Sequence, residues 1–482
     1  ANVSTQAYAG LTIAACNLIM AHGTDEQKQR YAEPMMAGRF FGTMCLTEPH
    51  CGTDLGLVKT RAVPQADGTY KVTGTKIFIS CGEHDMSENI VHLVLAKLPD
   101  APPGAKGISL FIVPKFLVND DGSLGERNDV TLAGLFHKMG WRGTTSTALN
   151  FGDKDNCVGY LVGKPHQGLS YMFQMMNEAR IGVAMGAVML GYAGYLYSLN
   201  YARERPQGRL PDGKNPSAPQ VSIIEHADVK RMLLAQKAYV EGAFDLGLYA
   251  SRLFDDTETL ETEEQRKTAL ELLDLLTPIV KAWPSDYYLK ANELAIQILG
   301  GHGYTREYPV EQFYRDNRLN PIHEGTNGIQ SLDLLARKVT MNGGAALKQL
   351  SSLIQDCCKR AGEYSELNDL REPLEKLHAH ISKVTLALLG DMGQGKVNEA
   401  LANSALYLKA FGHMVIGWRW LEQAIKAQQG LAGGNDADAA FYQGKLQAAR
   451  YFLRWEVPSC HHDLDVLESR DLTCFDMQDS WF

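Results

Sequence analysis

The segment IHEGTNGIQ, residues 322–330, holds one carboxylate, Glu324, beside Gly325, with a hydroxyl following at Thr326. Pro321 and Ile322 precede it, so the acid follows apolar residues at the end of a Pro-punctuated loop. A carboxylate withdrawn from water takes up a proton more readily, which suits a proton-abstracting base. The same residues also fit an ordinary helix start, with Glu, Thr and Asn near an N-terminus. His323, next to the acid, is either a wall of its pocket or a group that tunes it. A second candidate, GDMGQGKV at 390–397, fits the GxxxxGK pattern of a phosphate-binding loop but has Val397 where Ser or Thr must reach Mg²⁺. It also follows the helical pattern HISKVTLALL instead of a strand, and is rejected on both grounds. No GxGxxG opens a βαβ unit, which excludes a Rossmann-type dinucleotide site.

The elements that must hold these residues show as changes of period. Residues 1–22 read as an apolar helix ending near Gly23, and Thr24-Asp25-Glu26-Gln27 as a cap opening a second helix that fails before Gly38. The runs TYKVTGTKIFIS, ENIVHLVLAKL and GISLFIVPKF, separated by Gly, Pro and Asp turns, then read as a small β-barrel or sandwich. Helical periodicity returns over 168–205, breaks at a Pro/Gly-rich loop (206–219), and resumes in three long patterns up to about residue 340. Asn342-Gly343-Gly344 reads as a hinge, 345–456 as further helices, and the acidic stretch from Pro458 as a tail. The expected division is 1–41, the end of an N-terminal helical domain; 42–152, a β-domain; 153–340, a helical bundle carrying Glu324; and 345–482, an extra helical domain with its tail.

At 482 residues the chain has room for two to four domains, and 45% apolar with 21% charged residues is ordinary for a globular protein. A net charge of −9 argues against nucleic acid or an anionic membrane as partner. Nine cysteines without a CxxC pair read as reduced intracellular thiols, with neither a disulfide frame nor a metal site. No uninterrupted apolar run reaches the roughly 18 residues of a transmembrane helix. The chain opens at Ala1 inside a helical pattern, without an initiator Met or signal peptide, and the expectation is that a segment precedes it.

Five motifs then stand in order: CLTEPHCGTD (45–54), TGTKIFIS (73–80), KMGWRGTTSTALNF (138–151), QILGGHGYTREYPVEQFYRD (297–316) and IHEGTNGIQ itself. Together they resemble the acyl-CoA dehydrogenase flavoproteins, whose segments are usually written TEPxxGSD, NGxKxWIT, KxGxRxSxTxxLxF, QxxGGxGYxxEYPVExxxRD and YEGTxxIQ. The helices after 345 resemble the extra domain of a bacterial subgroup of that family, which includes 3-methylthiopropanoyl-CoA dehydrogenases. The resemblance implies an α+β fold with a helical N-terminal domain, a middle β-domain, a C-terminal bundle and the additional helical domain.

For the chemistry it implies FAD-dependent α,β-dehydrogenation of an acyl-CoA, with Glu324 as base and electrons leaving to an electron-transfer flavoprotein. Met44, Cys45, Leu46, Thr47 and Thr53, with Phe78, Ile79 and Ser80, fall where the family cradles its flavin, although Phe78 and Ile79 also suit plain strand core. Arg205 and Gln207 fall where FAD is touched from a neighbouring subunit, with Pro-Gln-Gly after Arg205 in place of the usual Lys-Thr-Phe. Gln297, Gly300, Gly301 and Gly303 match the loop that nears the partner chain's FAD phosphates, and Thr326 a flavin contact. Thr53, Asn177, Arg180, Glu324 and Gly325 match acyl-CoA contacts; Arg180 equally suits a buried structural ion pair, and Arg142 is read as structural. Ala227 and Gly328 replace glutamines usual in the family, each losing a polar contact. The implied assembly is a homodimer in the bacterial cytoplasm. Two rival readings are an acyl-CoA oxidase using O₂ and a flavoprotein of this fold that binds DNA. Against the second, residues 345–482 hold 18 Asp/Glu and 14 Lys/Arg, the wrong sign for a phosphate footprint.

Overall fold

The computed structural model describes residues 3–482 apart from 213, 214, 216 and 435, with the backbone alone at 173–178 and 436. It resolves into two compact units, Ala1–Ala179 and Arg180–Phe482. In the first, helix α1 (Val3–His22) buries Ala15, Cys16, Leu18 and Ile19. Thr24 and Gln27 then cap the next short helix (Asp25–Gln27) reciprocally, side chain to backbone.

Ten strands follow: β1 (Phe40–Cys45), β2 (Arg61–Pro64), β3 (Tyr70–Ser80), β4 (Asn89–Lys97), β5 (Ile108–Pro114), β6 (Phe116–Val118), β7 (Leu124–Arg127), β8 (Val130–Leu135), β9 (Ser146–Phe151) and β10 (Val158–Leu161). Eight of them form one sheet in the order β1-β4-β5-β10-β3-β9-β8, with β2 beside β3 and β4, while β6 and β7 pair separately. Side chains alternate across a strand, so a strand buried on both faces feeds two cores. On β4, Val91, Leu93 and Leu95 join the core that α1 covers, while Val94 and Ala96 join the opposite one. Strand β10 takes the sheet past residue 152, into the stretch assigned to the helical bundle from sequence.

The second unit is helical. Helix α2 (Gly168–Glu204) leads into α3 (Ala227–Thr259), α4 (Glu263–Leu299), α5 (Val310–Asn317) and α6 (Asn327–Ala336). Beyond the left-handed residues Asn342, Gly343 and Gly344 come α7 (Ala345–Ala361), α8 (Asn368–Gly393), α9 (Ser404–Ala432), α10 (Ala439–Tyr451) and α11 (Ser459–Ser469), with shorter helical turns between. Helices on both sides of residue 340 share one hydrophobic core. Trp283 of α4 lies against Gly412 of α9 so closely that a Cβ there would stand 2.5 Å from the indole, and Trp420 Nε1 donates to Ala238 O at 3.0 Å.

Two sequence expectations, those for the C-terminal tail and for Phe78, change here. The acidic stretch from Pro458 is not simply a tail: it forms α11, which buries Cys460, Leu464 and Leu467 and pairs its buried Asp463 with Lys409 at 2.7 Å. The segment Ala179–Glu204 is long and apolar enough to cross a membrane although no uninterrupted apolar run marks it. Its Ala184, Ala187, Val188 and Ala202 pack into the helical core, which accounts for that composition. Phe78, read as possible strand core, is exposed. As for the GDMGQGKV stretch, it closes helix α8 and no strand precedes it.

Candidate functional site

Helix α6 begins at Asn327, capped by Thr326, whose Oγ1 accepts from Ile329 N at 3.3 Å. The helix-start reading of this segment therefore holds for Thr326. Glu324 lies outside the helix, at φ 55°, with Gly325 at φ 85°. The left-handed region is sterically costly for a residue with a Cβ, by about 1–2 kcal/mol, and such strain gathers where a side chain must be aimed. Gly325 at φ 85° occupies a conformation that favours glycine, and a Cβ there would also stand 2.8 Å from Gln330 Nε2 and displace that amide. Gln330, fully buried, ties the turn to α6 by donating to the carbonyls of Glu324 and Gly325, each at 3.3 Å.

The Glu324 side chain is half-buried, and among the described residues its carboxylate accepts no hydrogen bond. Burial pushes its pKa above the ordinary value, against the opposing charges of Arg180 and Lys281. Arg180 is 5% exposed, and its Nε has no hydrogen-bond partner among the described residues. Burial depresses its pKa against the attraction of Asp333 and Glu324. A buried guanidinium with an orphaned donor departs from the rule that buried polar groups are satisfied, so the ion-pair reading of Arg180 leaves a group unaccounted for. Asn177, the other expected contact on this helix, lies outside the described side chains.

Two supports of the turn were missed from sequence. One is Lys281 on α4, fully buried, whose Nζ donates to Gly325 O at 2.8 Å and to Asn327 Oδ1 at 3.0 Å. Burial lowers its pKa to about 8. Pro278 and Pro284 flank it within α4, each removing a backbone donor. The second is a ladder of buried amides: Asn292 Nδ2 donates to Leu190 O, Asn317 Nδ2 to Asn292 Oδ1, and Asn320 Nδ2 to Asn317 Oδ1, at 2.7–3.0 Å. Asn320 Oδ1 then faces His323 Nε2 at 3.1 Å. The backbone carbonyl at its foot orients every amide, so His323 is the donor and carries its proton on Nε2. Burial lowers the imidazole pKa to about 3, so a neutral, held ring lies beside Glu324.

In the β-unit, Cys45 is core, 0% exposed, and burial pushes its thiol up to about 12. Met44, Leu46, Thr47 and Ser80 are half-buried, Thr53 is exposed and Ile79 is core. The register of β3 against β9 slips between Lys76 and Ile79. That bulge puts Phe78 at φ 58° and 58% exposed, its ring 4.5 Å from that of Phe136. Beneath this turn lies the buried pair Glu48–Lys76, at 2.9 Å. In the helical unit, Arg205, Gln207, Gln297, Gly300 and Gly301 are all exposed, and a Cβ at Gly300 or Gly301 would meet nothing within 4 Å. Gly303 differs: a Cβ there would stand 2.4 Å from Ile296 O, so this glycine serves local packing. Arg142 Nε donates to Lys138 O at 3.2 Å.

Family models described as "Acyl-CoA dehydrogenase, middle domain" and "Acyl-CoA dehydrogenase, C-terminal domain" match residues 43–154 and 166–339. A third, "Acetyl-CoA dehydrogenase C-terminal like", matches residues 350–478. The 3-methylmercaptopropionyl-CoA dehydrogenase of Ruegeria pomeroyi is 40% identical over 93% of this chain and 75% of its own length. The chain belongs to the acyl-CoA dehydrogenase family. A butyryl-CoA dehydrogenase of Syntrophomonas wolfei is 36% identical over 98% of this chain and 78% of its own. An acyl-CoA dehydrogenase from Bacillus anthracis, solved in complex with FAD, shares the fold with a TM-score of 0.74 at 20% identity, covering 96% of this chain and 74% of that one. Membership extends through the helices after residue 345, since the alignment over 98% of this chain and the third family model include them.

Proposed function

We propose that this acyl-CoA dehydrogenase family member converts an acyl-CoA thioester to its trans-2-enoyl-CoA, with Glu324 as the base and FAD as the oxidant. The observation that carries the reading is the Glu324 carboxylate: half-buried, without a hydrogen bond among the described residues, and with its proton affinity raised by burial. A base of this kind matches the weak acidity of a thioester α-proton better than a solvated carboxylate does.

FAD, when bound, accepts the substrate's β-hydride. Glu324 takes the α-proton, and its backbone N–H holds the thioester carbonyl as charge develops there. Gly325 leaves room for the thioester, Thr326 supports the flavin, and Arg180, with Asn177, meets the CoA moiety. Met44, Cys45, Leu46, Thr47, Thr53, Phe78, Ile79 and Ser80 hold the flavin by backbone and ring contacts. An exposed aromatic ring on a bulge fits a planar ligand, and the open space at Gly300 and Gly301 fits close approach by phosphate. These two glycines, with Gln297, Arg205 and Gln207, serve the FAD of a second copy in a cytoplasmic homodimer. Electrons pass to an electron-transfer flavoprotein.

The names of the relatives support short acyl-CoAs as the first substrates to assay. Turnover of butyryl-CoA and 3-methylmercaptopropionyl-CoA, with an artificial electron acceptor and peroxide monitored, tests the reading. Enoyl-CoA without peroxide is expected. Peroxide in step with product would instead make the protein an oxidase, and no product from any acyl-CoA between C4 and C18 would contradict the proposal.

A further inference from the structure

Lys281 is a fully buried cation whose two hydrogen bonds both go to the turn that carries Glu324. An ammonium so far from water needs a compensating role or strong partners. Among the described residues no carboxylate pairs with it directly: its acceptors are the Gly325 carbonyl at 2.8 Å and the Asn327 amide oxygen at 3.0 Å. Asn327 is oriented in turn by donating Nδ2 to Asp286 Oδ1 at 2.8 Å, one turn along α4 from Lys281. The helix thus grips both ends of the Gly325–Asn327 segment through one side chain.

We propose that Lys281 is a positioning residue for the dehydrogenation: it clamps the Gly325 carbonyl, holding Glu324 in its left-handed conformation, and its charge opposes protonation of that carboxylate. The inference rests on Glu324 being the base. A hydrogen bond from an ammonium to a carbonyl is stronger than one from a neutral donor, and it opposes relaxation of a strained turn. The charged groups that act on Glu324 are Arg180 from α2 and Lys281 from α4. Those that act on Lys281 are Asp286 on its own helix, Glu324, and Arg180 with opposite effect. His323, the remaining titratable neighbour, stays neutral. Loss of the Lys281 charge removes one of the two cations opposing protonation of Glu324, so the base works only at higher pH.

Two replacements separate this role from packing. Lys281→Met keeps the length and apolar stem but removes charge and donors; Lys281→Arg keeps charge and donors but is bulkier. If Lys281 serves only packing, Met is the milder change. If it positions and charges the turn, Arg is. The pH dependence of the rate constant for flavin reduction by acyl-CoA, on flavin-loaded full-length protein, reads the difference. For Lys281→Met the acid limb is expected to move up by about one pH unit, with the plateau rate falling about tenfold or more. Lys281→Arg is expected to keep the acid limb and most of the rate. An unmoved acid limb in Lys281→Met, or a greater loss in Arg than in Met, would overturn the proposal. Should Lys281→Met not fold, the Arg variant and Asn327→Leu carry the test. Asn327→Leu removes one acceptor but not the charge, so it is expected to slow the plateau and leave the limb in place; a shifted limb there would overturn the charge role. Glu324→Gln is measured alongside: normal reduction in that variant would sink the base assignment itself, whatever Lys281 does.

Discussion

Glu48 in the β-unit and Glu324 in the helical unit are both withdrawn from water, yet their surroundings treat the charge in opposite ways. Glu48, 3% exposed, accepts from Lys59 N, Thr60 N, Thr60 Oγ1 and Lys76 Nζ at 2.6–3.0 Å. Burial acts on both members of that pair, lifting Glu48 and lowering Lys76. At Glu48 the donors outweigh it and the carboxyl sits below its ordinary value, while Lys76 is left below its own. Glu324 has neighbouring cations but, among the described residues, no hydrogen-bonded one, and burial raises its pKa. A carboxylate with its lone pairs engaged is locked as an anion and holds a turn together. One left unengaged is a poor anion and a better proton acceptor. Partner geometry, more than burial, separates the structural acid from the candidate base.

The largest effect should come from breaking the satisfied pair. Glu48→Ala leaves Lys76 as an uncompensated buried charge, and denaturant unfolding at pH 7 should show a loss of about 3–5 kcal/mol. Adding Lys76→Met should restore much of it. Failure of that rescue would mean that the hydrogen bonds to Lys59 and Thr60, and not the ion pair, carry the stability.

Smaller and opposite in sign is the effect expected at Glu324. Its folded pKa is raised, so its ionisation costs stability: the full stability is present below the unfolded value and is lost as pH rises through the folded one. Glu324→Gln should therefore be more stable than the parent at pH 7, with the gain vanishing in acid. Glu48 has a lowered folded pKa, so its contribution is present above the unfolded value and lost as pH falls through the folded one. The deficit of Glu48→Gln should shrink toward acid. Thermal melts of both variants between pH 4 and 8 check the crossing signs; parallel behaviour would erase the contrast.

These two acids were not equally legible. Glu324 stands in a segment whose letters mark it, and the strands of the β-unit show as short runs between Gly, Pro and Asp turns. The Glu48–Lys76 pair does not, because it depends on β3 crossing over the TEPHCGTD turn, a contact between residues distant in sequence. Lys281 hides for a related reason. In LTPIVKAWPSDYYL it looks like one charge on a helix, and only the return of the chain at Gly325 shows where its ammonium points. The amide ladder from Asn292 to His323 spans α4, α5 and the loop beyond, so no local pattern contains it. Nor does apolar periodicity distinguish Phe78 as exposed, since the bulge that turns it outward is a property of the pairing with β9.

The smallest stability change is expected at Phe78, an exposed ring on a bulge. Phe78→Ala should alter unfolding by no more than about 0.5 kcal/mol while weakening flavin retention, measured as FAD released on dilution. A large loss of stability with unchanged retention would make the ring structural, on the Glu48 side of the contrast.

The most direct test of Glu324 as the base is anaerobic stopped-flow of flavin reduction in Glu324→Gln, which keeps size and hydrogen bonding but removes the basic carboxylate. FAD should still bind and acyl-CoA should still dock, while bleaching by butyryl-CoA should slow by roughly three orders of magnitude or more. Bleaching within a few-fold of the parent would place the base elsewhere in the chain and contradict the account.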